Sequence, residues 1–178
     1  IGDQEDAFID YMKGFRVIAA CEGNHEARIT RATGTSPMRN ITRTLAARQN
    51  QPCTFMQYGG YLNVKVGTQT YRIVFSHGEG SVTQYFKLMQ RDFPDGDVYA
   101  GGHTHELTQG EYFVNSPAGP HRRILTTRTG SYLAFPSYTA SKPSTGGITA
   151  PGSHILWLRY DPKQATLEKL SDRALAAA

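Results

Sequence analysis

Three short apolar runs in this chain each stop at a glycine-flanked cluster of polar side chains. That repeated pattern confines the chain to folds built on strands with chemistry at their ends. Arg16-Val17-Ile18-Ala19-Ala20-Cys21 runs into Glu22-Gly23-Asn24-His25-Glu26. Tyr71, Ile73, Val74 and Phe75 lead to Ser76-His77-Gly78-Glu79-Gly80. Asp97-Val98-Tyr99-Ala100 leads to Gly101-Gly102-His103-Thr104-His105. Four of the six histidines lie in these clusters. Open α/β sheets place their ligands at the carboxyl ends of strands, so the pattern predicts an α/β chain with one composite site. Strand residues alternate faces, which puts His103 and His105 on the same side as a candidate metal-ligand pair.

The remaining segments read as scaffold. Phe8, Ile9, Met12 and Phe15 have helical spacing and predict a helix from about Gln4 to Lys13, with Asp3 as its N-cap and Asp6 in its first turn. Arg28 to Asn50 carries Arg28, Arg31, Arg39, Arg43 and Arg48 without an acidic residue. It predicts a loop and then an amphipathic helix, whose basic face is either solvated surface or a phosphate-contact surface. Gly60 to Ser76 predicts a hairpin turning at Gly67-Thr68-Gln69. Val82, Tyr85, Phe86 and Met89 predict a helix ended by Phe93-Pro94-Asp95-Gly96. Strands are expected at Arg123–Thr127, Ser131–Phe135, His154–Tyr160 and Thr166–Leu170, with a loop over Pro136–Gly152 and a turn at Asp161-Pro162-Lys163. His154 reads as structural and His121 as a loop residue.

Composition sets outer bounds. The length of 178 residues suits one domain, here residues 1–170, with 171–178 as a tail. No apolar run is long enough to span a membrane. The net charge of +4 suits a polyanionic substrate without requiring one. Cys21 and Cys53 are too few for a disulfide framework, so a reducing, cytoplasmic setting is the expectation.

Gly-Asn-His-Glu, then His-Gly, then Gly-His-Thr-His, in that order, resemble the calcineurin-like metallophosphoesterase superfamily, in its small bacterial and phage form. Gly2-Asp3-Gln4-Glu5-Asp6 matches the family's Gly-Asp-x-x-Asp element, and Thr129-Gly130-Ser131-Tyr132 looks like its stretch after the His-x-His motif. The resemblance implies a four-layer α/β/β/α sandwich with two mixed β-sheets. It implies two divalent metal ions, with Mn favoured and Fe, Zn, Ni or Co as alternatives. By position, Asp3 would bridge both metals, Asn24, His77 and His103 would complete one site, and His105 would serve the other. His25 would be catalytic, stabilising phosphoryl oxygens or protonating the leaving group. The family also opens with an Asp-x-His strand that this chain lacks, so residues upstream of Ile1 are expected to supply it.

The implied activity is hydrolysis of a phosphodiester, with nucleic acid or a nucleotide among the substrates, by attack of a metal-bridging hydroxide. The alternatives are a phosphomonoesterase acting on protein or nucleotide, and a degenerate member that binds metal or a partner without catalysis. The partner is a phosphate ester rather than a membrane.

Overall fold

A computed structural model of the chain describes residues 2–79, 84–104, 106–116, 119–130, 152–160 and 163–169. Within them the fold is mixed α/β: four α-helices, one five-stranded mixed sheet and two small two-stranded sheets.

The first helix, α1, spans Gly2–Tyr11 and continues as a 3₁₀ turn over Met12–Gly14. Asp3 therefore lies inside the first helical turn rather than capping it, where a carboxylate still favours the helix dipole. Of the apolar residues, Ile9 is buried while Phe8 and Phe15 stay exposed. Ile9 joins Ile41 and Leu45 in a small core, with Met12, Val17 and Met38 packed against it.

Strand β1 is Ala19–Cys21, shorter than the apolar run that holds it. Its length is set by a three-pair parallel ladder to β2, Thr54–Met56, a strand too short to leave a sequence signal. The stretch from Arg28, expected to be a loop, is helical instead. Helix α2 covers Asn24–Thr33. Its start is fixed by Glu26, whose Oε2 accepts the Gly23 N–H at 3.1 Å, the returning half of a capping box. Its end is fixed by Gly34 at φ 74°, whose N–H donates to the Thr30 carbonyl. No α2 residue is fully buried, so no apolar stripe announces the helix. Helix α3, Pro37–Gln49, begins at a Ser36 cap that accepts the Arg39 N–H at 3.3 Å, with Pro37 in the first turn.

The main sheet has the order β3-β4-β5-β7-β6. These strands are β3 (Gly60–Val66), β4 (Gln69–Ser76), β5 (Val98–Gly101), β6 (Thr108–Ser116) and β7 (Gly119–Arg128). The expected hairpin is present as β3–β4, turning at Gly67 with φ 59°. Helix α4, Tyr85–Asp92, connects β4 to its parallel neighbour β5. The centre of the sheet is parallel, β4 with β5 and β5 with β7, and each edge is antiparallel. Register places Ser76, Gly101 and Arg128 in one row, so the three parallel strands finish level. That shared finish is where the candidate site lies. His121, expected in a loop, falls inside β7. Strand β6 was not anticipated: Glu111, Tyr112, Phe113 and Val114 are all exposed, so it has no buried alternation to read.

The principal core lies between α4 and the sheet: Val74, Tyr85, Met89, Tyr99 and Ile124, with Phe86 and Phe93 against it. Burying side chains of this size contributes about 1.5–3 kcal/mol each. Strands β8 (His154–Tyr160) and β9 (Lys163–Lys169) form an antiparallel pair. They dock through His154, whose Nδ1 is 2.6 Å from Thr127 Oγ1, and through Arg123, which donates to the Ala165 carbonyl at 3.1 Å. Tyr71 adds a hydrogen bond from its hydroxyl to the Arg159 carbonyl.

The expected strand at Ser131–Phe135, the loop over Pro136–Gly152 up to its last residue, Asp161-Pro162, Val82 and the tail 171–178 lie outside the described residues. Among the described residues no helix is long and apolar enough to cross a membrane.

Candidate metal centre

The three sequence clusters meet. Asn24 opens α2 just after β1, His77 follows the last residue of β4, and His103 stands two residues beyond β5. His77 Nε2 is 2.9 Å from Asn24 Oδ1 and 3.2 Å from His103 Nδ1. The two imidazoles lie edge to face, with centroids 5.1 Å apart and planes at 80°. One imidazole nitrogen offers a single in-plane lobe, yet an amide oxygen and a second ring nitrogen both face it. Oxygen and nitrogen donors this close match the neighbouring ligands of a small divalent ion. For bonds of about 2.1 Å, adjacent octahedral ligands are about 3.0 Å apart. Nitrogen and oxygen without thiolate suit Mn, Fe, Zn, Ni or Co. The donor set thus fits a divalent metal.

Of the neighbouring glycines, Gly23 gives this approach its room. A Cβ on Gly23 would come within 3.2 Å of His77 Nδ1, and one on Gly102 would stand 3.9 Å from the same atom. The His103 backbone sits at φ 64°, in the left-handed region. For a residue with a side chain this costs of order 1–2 kcal/mol. It also corrects the alternation argument: β5 ends at Gly101, so His103 belongs to a turn and not to a strand.

Buried side chains hold the cluster from behind. Tyr85, 1% exposed, donates its hydroxyl to the His77 carbonyl at 3.0 Å and lies 3.3 Å from the Ser76 carbonyl. Burial raises its phenol well above the ordinary tyrosine value, against a smaller opposite pull from the Gly102 main chain. It stays protonated and ties the ends of β4 and β5 together. Arg128, 5% exposed, donates to Thr108 Oγ1 at 2.8 Å and to Thr104 Oγ1 at 3.1 Å, beside His103. Its guanidinium is also 3.1 Å from Glu106 Oε2 and stacks over the Tyr85 and Phe86 rings.

On the other flank the buried Glu22 carboxylate accepts hydroxyl bonds from Thr30 at 2.6 Å and Ser36 at 2.7 Å, both on Oε1. That links the end of β1 to α2 and to the cap of α3. From sequence none of Tyr85, Arg128 and Glu22 takes a site role: Glu22 reads as part of a polar turn and Tyr85 as a helix residue. Burial raises the Cys21 thiol above its ordinary value, partly offset by the His77 main chain. It is therefore a packing group at neutral pH, as expected from its place in the strand.

The other expected site residues are placed differently. His25 is exposed at the second position of α2, beside Asn24. Asp3 is exposed on α1. Among the described residues no three His, Cys, Asp or Glu side chains form a metal-holding group. The third member here is the amide of Asn24, and Asp3 is not gathered with His77 and His103. His105 lies outside the described residues.

Comparison with protein-family models, with curated proteins and with solved structures finds no match.

Proposed function

We propose that the chain is a metal-dependent phosphoesterase acting on a phosphodiester, in a domain of the four-layer sandwich type with β1–β2 belonging to the second sheet. The observation that carries this reading is the convergence of Asn24 Oδ1, His77 Nε2 and His103 Nδ1 at the level ends of parallel strands. These three residues would hold one divalent ion, with Mn favoured; in the two-ion reading Asp3 would bridge it to a second ion served by His105. The metal supplies Lewis-acid activation of water and neutralises charge at the phosphoryl group. His25, exposed and next to Asn24 at the start of α2, would donate its imidazole N–H to a phosphoryl oxygen or protonate the departing oxygen. Tyr85 and Arg128 fix the loops that aim the two metal-binding imidazoles.

The test pairs binding with turnover. Titration calorimetry with Mn²⁺ is expected to show binding that weakens at least tenfold in Asn24→Ala and is lost in His77→Ala. Mn²⁺-dependent hydrolysis of bis-p-nitrophenyl phosphate is expected to fall about 10²-fold or more in His25→Ala with Mn²⁺ affinity unchanged. Metal binding without any turnover of diester or monoester would replace this reading by that of a binding protein. Faster turnover of p-nitrophenyl phosphate than of the diester would move it to a phosphomonoesterase.

A further inference from the structure

From Ala27 to Gly78 the chain has no Asp or Glu. Arginines at 28, 31, 39, 43 and 48 fall in that interval, all exposed. Of these, Arg48 is already paired with Asp10 at 2.8 Å. The others are arranged by helix periodicity. On α2, Asn24, Arg28 and Arg31 are spaced i, i+4, i+7 and share one stripe. At 1.5 Å per residue, Arg28 stands about 6 Å and Arg31 about 10.5 Å along the axis from Asn24. The basic stripe therefore starts at a member of the metal cluster and leads away from it. On α3, Arg39 and Arg43 are i, i+4 neighbours opposite the buried face of Ile41, Thr42 and Leu45.

A second kind of group is tied by its backbone to the strand end that precedes His77. Tyr58 is 75% exposed, the most exposed large hydrophobic side chain among the described residues. It is held there by its own backbone: its carbonyl accepts the Ser76 hydroxyl at 2.7 Å, one residue before His77. Gly59 keeps the segment close, at φ 130° with its Cβ position 2.6 Å from the Phe75 carbonyl oxygen. Phosphate-tracking cations together with an exposed aromatic face are the combination that binds single-stranded nucleic acid. Each unpaired base can stack on the ring while the backbone follows the cations. A duplex leaves no free base for Tyr58.

We infer that the substrate of the proposed phosphodiesterase is single-stranded nucleic acid, lying along the Arg28–Arg31 stripe with a base stacked on Tyr58. The inference rests on the phosphoesterase reading for its chemistry, but its test does not. Binding of a fluorescently labelled fifteen-nucleotide oligo-dT is measured by anisotropy in EDTA across a salt series, so that neither metal nor turnover enters. The single strand is expected to bind more tightly than the same length of duplex. The double variant Arg28→Gln, Arg31→Gln should flatten the log–log salt slope by about 1.4, two cations at about 0.7 each for a single strand. Tyr58→Ala should weaken binding at least fivefold with the slope unchanged. Arg91→Gln on α4 is the control and should change neither. Far-ultraviolet circular dichroism keeps loss of fold from passing as loss of binding. An unchanged slope in the double variant overturns the stripe. Equal affinity for duplex and single strand, or no effect of Tyr58→Ala in a folded protein, overturns the single-strand assignment.

Discussion

The two flanks of the Asn24–His77–His103 cluster are held by opposite means. His77 and His103 come from neighbouring parallel strands of the main sheet, and behind them stand a buried aromatic ring and a buried guanidinium. Asn24 comes from a three-residue strand and a helix with no fully buried residue, and behind it stands one buried carboxylate. The first flank is rigid because its atoms fill space. The second is held by hydroxyl hydrogen bonds to that carboxylate. A packed flank fails when something is added to it, whereas a hydrogen-bonded flank fails when something is taken away.

Substitutions sharpen that contrast. The largest effect is expected at Gly101, where a Cβ would fall 1.5 Å from the Tyr85 hydroxyl oxygen. Gly101→Ala should destabilise the protein by about 3 kcal/mol or more in urea denaturation. Adding Tyr85→Phe should recover part of that loss, and failure to recover any would show that the clash is not with the phenol oxygen. Next comes Glu22→Ala, which removes a buried carboxylate and leaves the buried Ser36 hydroxyl without its acceptor, while the half-buried Thr30 keeps the Glu26 carbonyl; it should cost about 2–3 kcal/mol. Hydrogen exchange should then quicken in α2 and α3 before it does in β4 and β5. Simultaneous quickening in both regions would mean that the flanks are one cooperative unit.

Arg128→Met should cost about 2 kcal/mol, because Glu106, 34% exposed, keeps partial access to water. It should also weaken Mn²⁺ binding several-fold by freeing the Thr104 hydroxyl beside His103. The smallest effect belongs to Asp10→Asn. Arg48 holds the Asp10 carboxyl below its ordinary range, chiefly by a hydrogen bond and then by charge. A lowered carboxylate value lends stability above the unfolded value that is lost as pH falls through the folded one. On this exposed pair the acid midpoint of unfolding should not move measurably.

Sequence patterns were legible where one physical requirement acted alone. The hairpin Gly60–Ser76, the strand at His154 and the helix around Tyr85 each show a single periodicity between clear breakers, and each is present. The meeting of Asn24, His77 and His103 was legible for a different reason. Each lies in a polar cluster that ends an apolar run beside a glycine, and at Gly23 that glycine gives an imidazole room. Helix α2 was missed because its stabilisation comes from its two ends and from Glu22, none of which produces a stripe. Strands β2 and β6 were missed because one is three residues long and the other is exposed along its middle. The turn at His103 was misread as strand because a left-handed residue leaves no mark in composition unless it is glycine.

That histidine has a further consequence. Glycine takes φ 64° without strain, as at Gly34 and Gly67, whereas His103, like Asn50 and Asp95, holds a positive φ with a side chain. Keeping an imidazole there sets durability against use. His103→Gly is expected to melt no lower than the parent, and even slightly higher, while its affinity for Mn²⁺ collapses. A thermal shift assay run with and without the ion would read both effects in one sample: the parent should gain heat resistance from Mn²⁺ and the variant should gain none. The loop would then be a place where the molecule has been left deliberately incomplete, a conformation that becomes comfortable only in company.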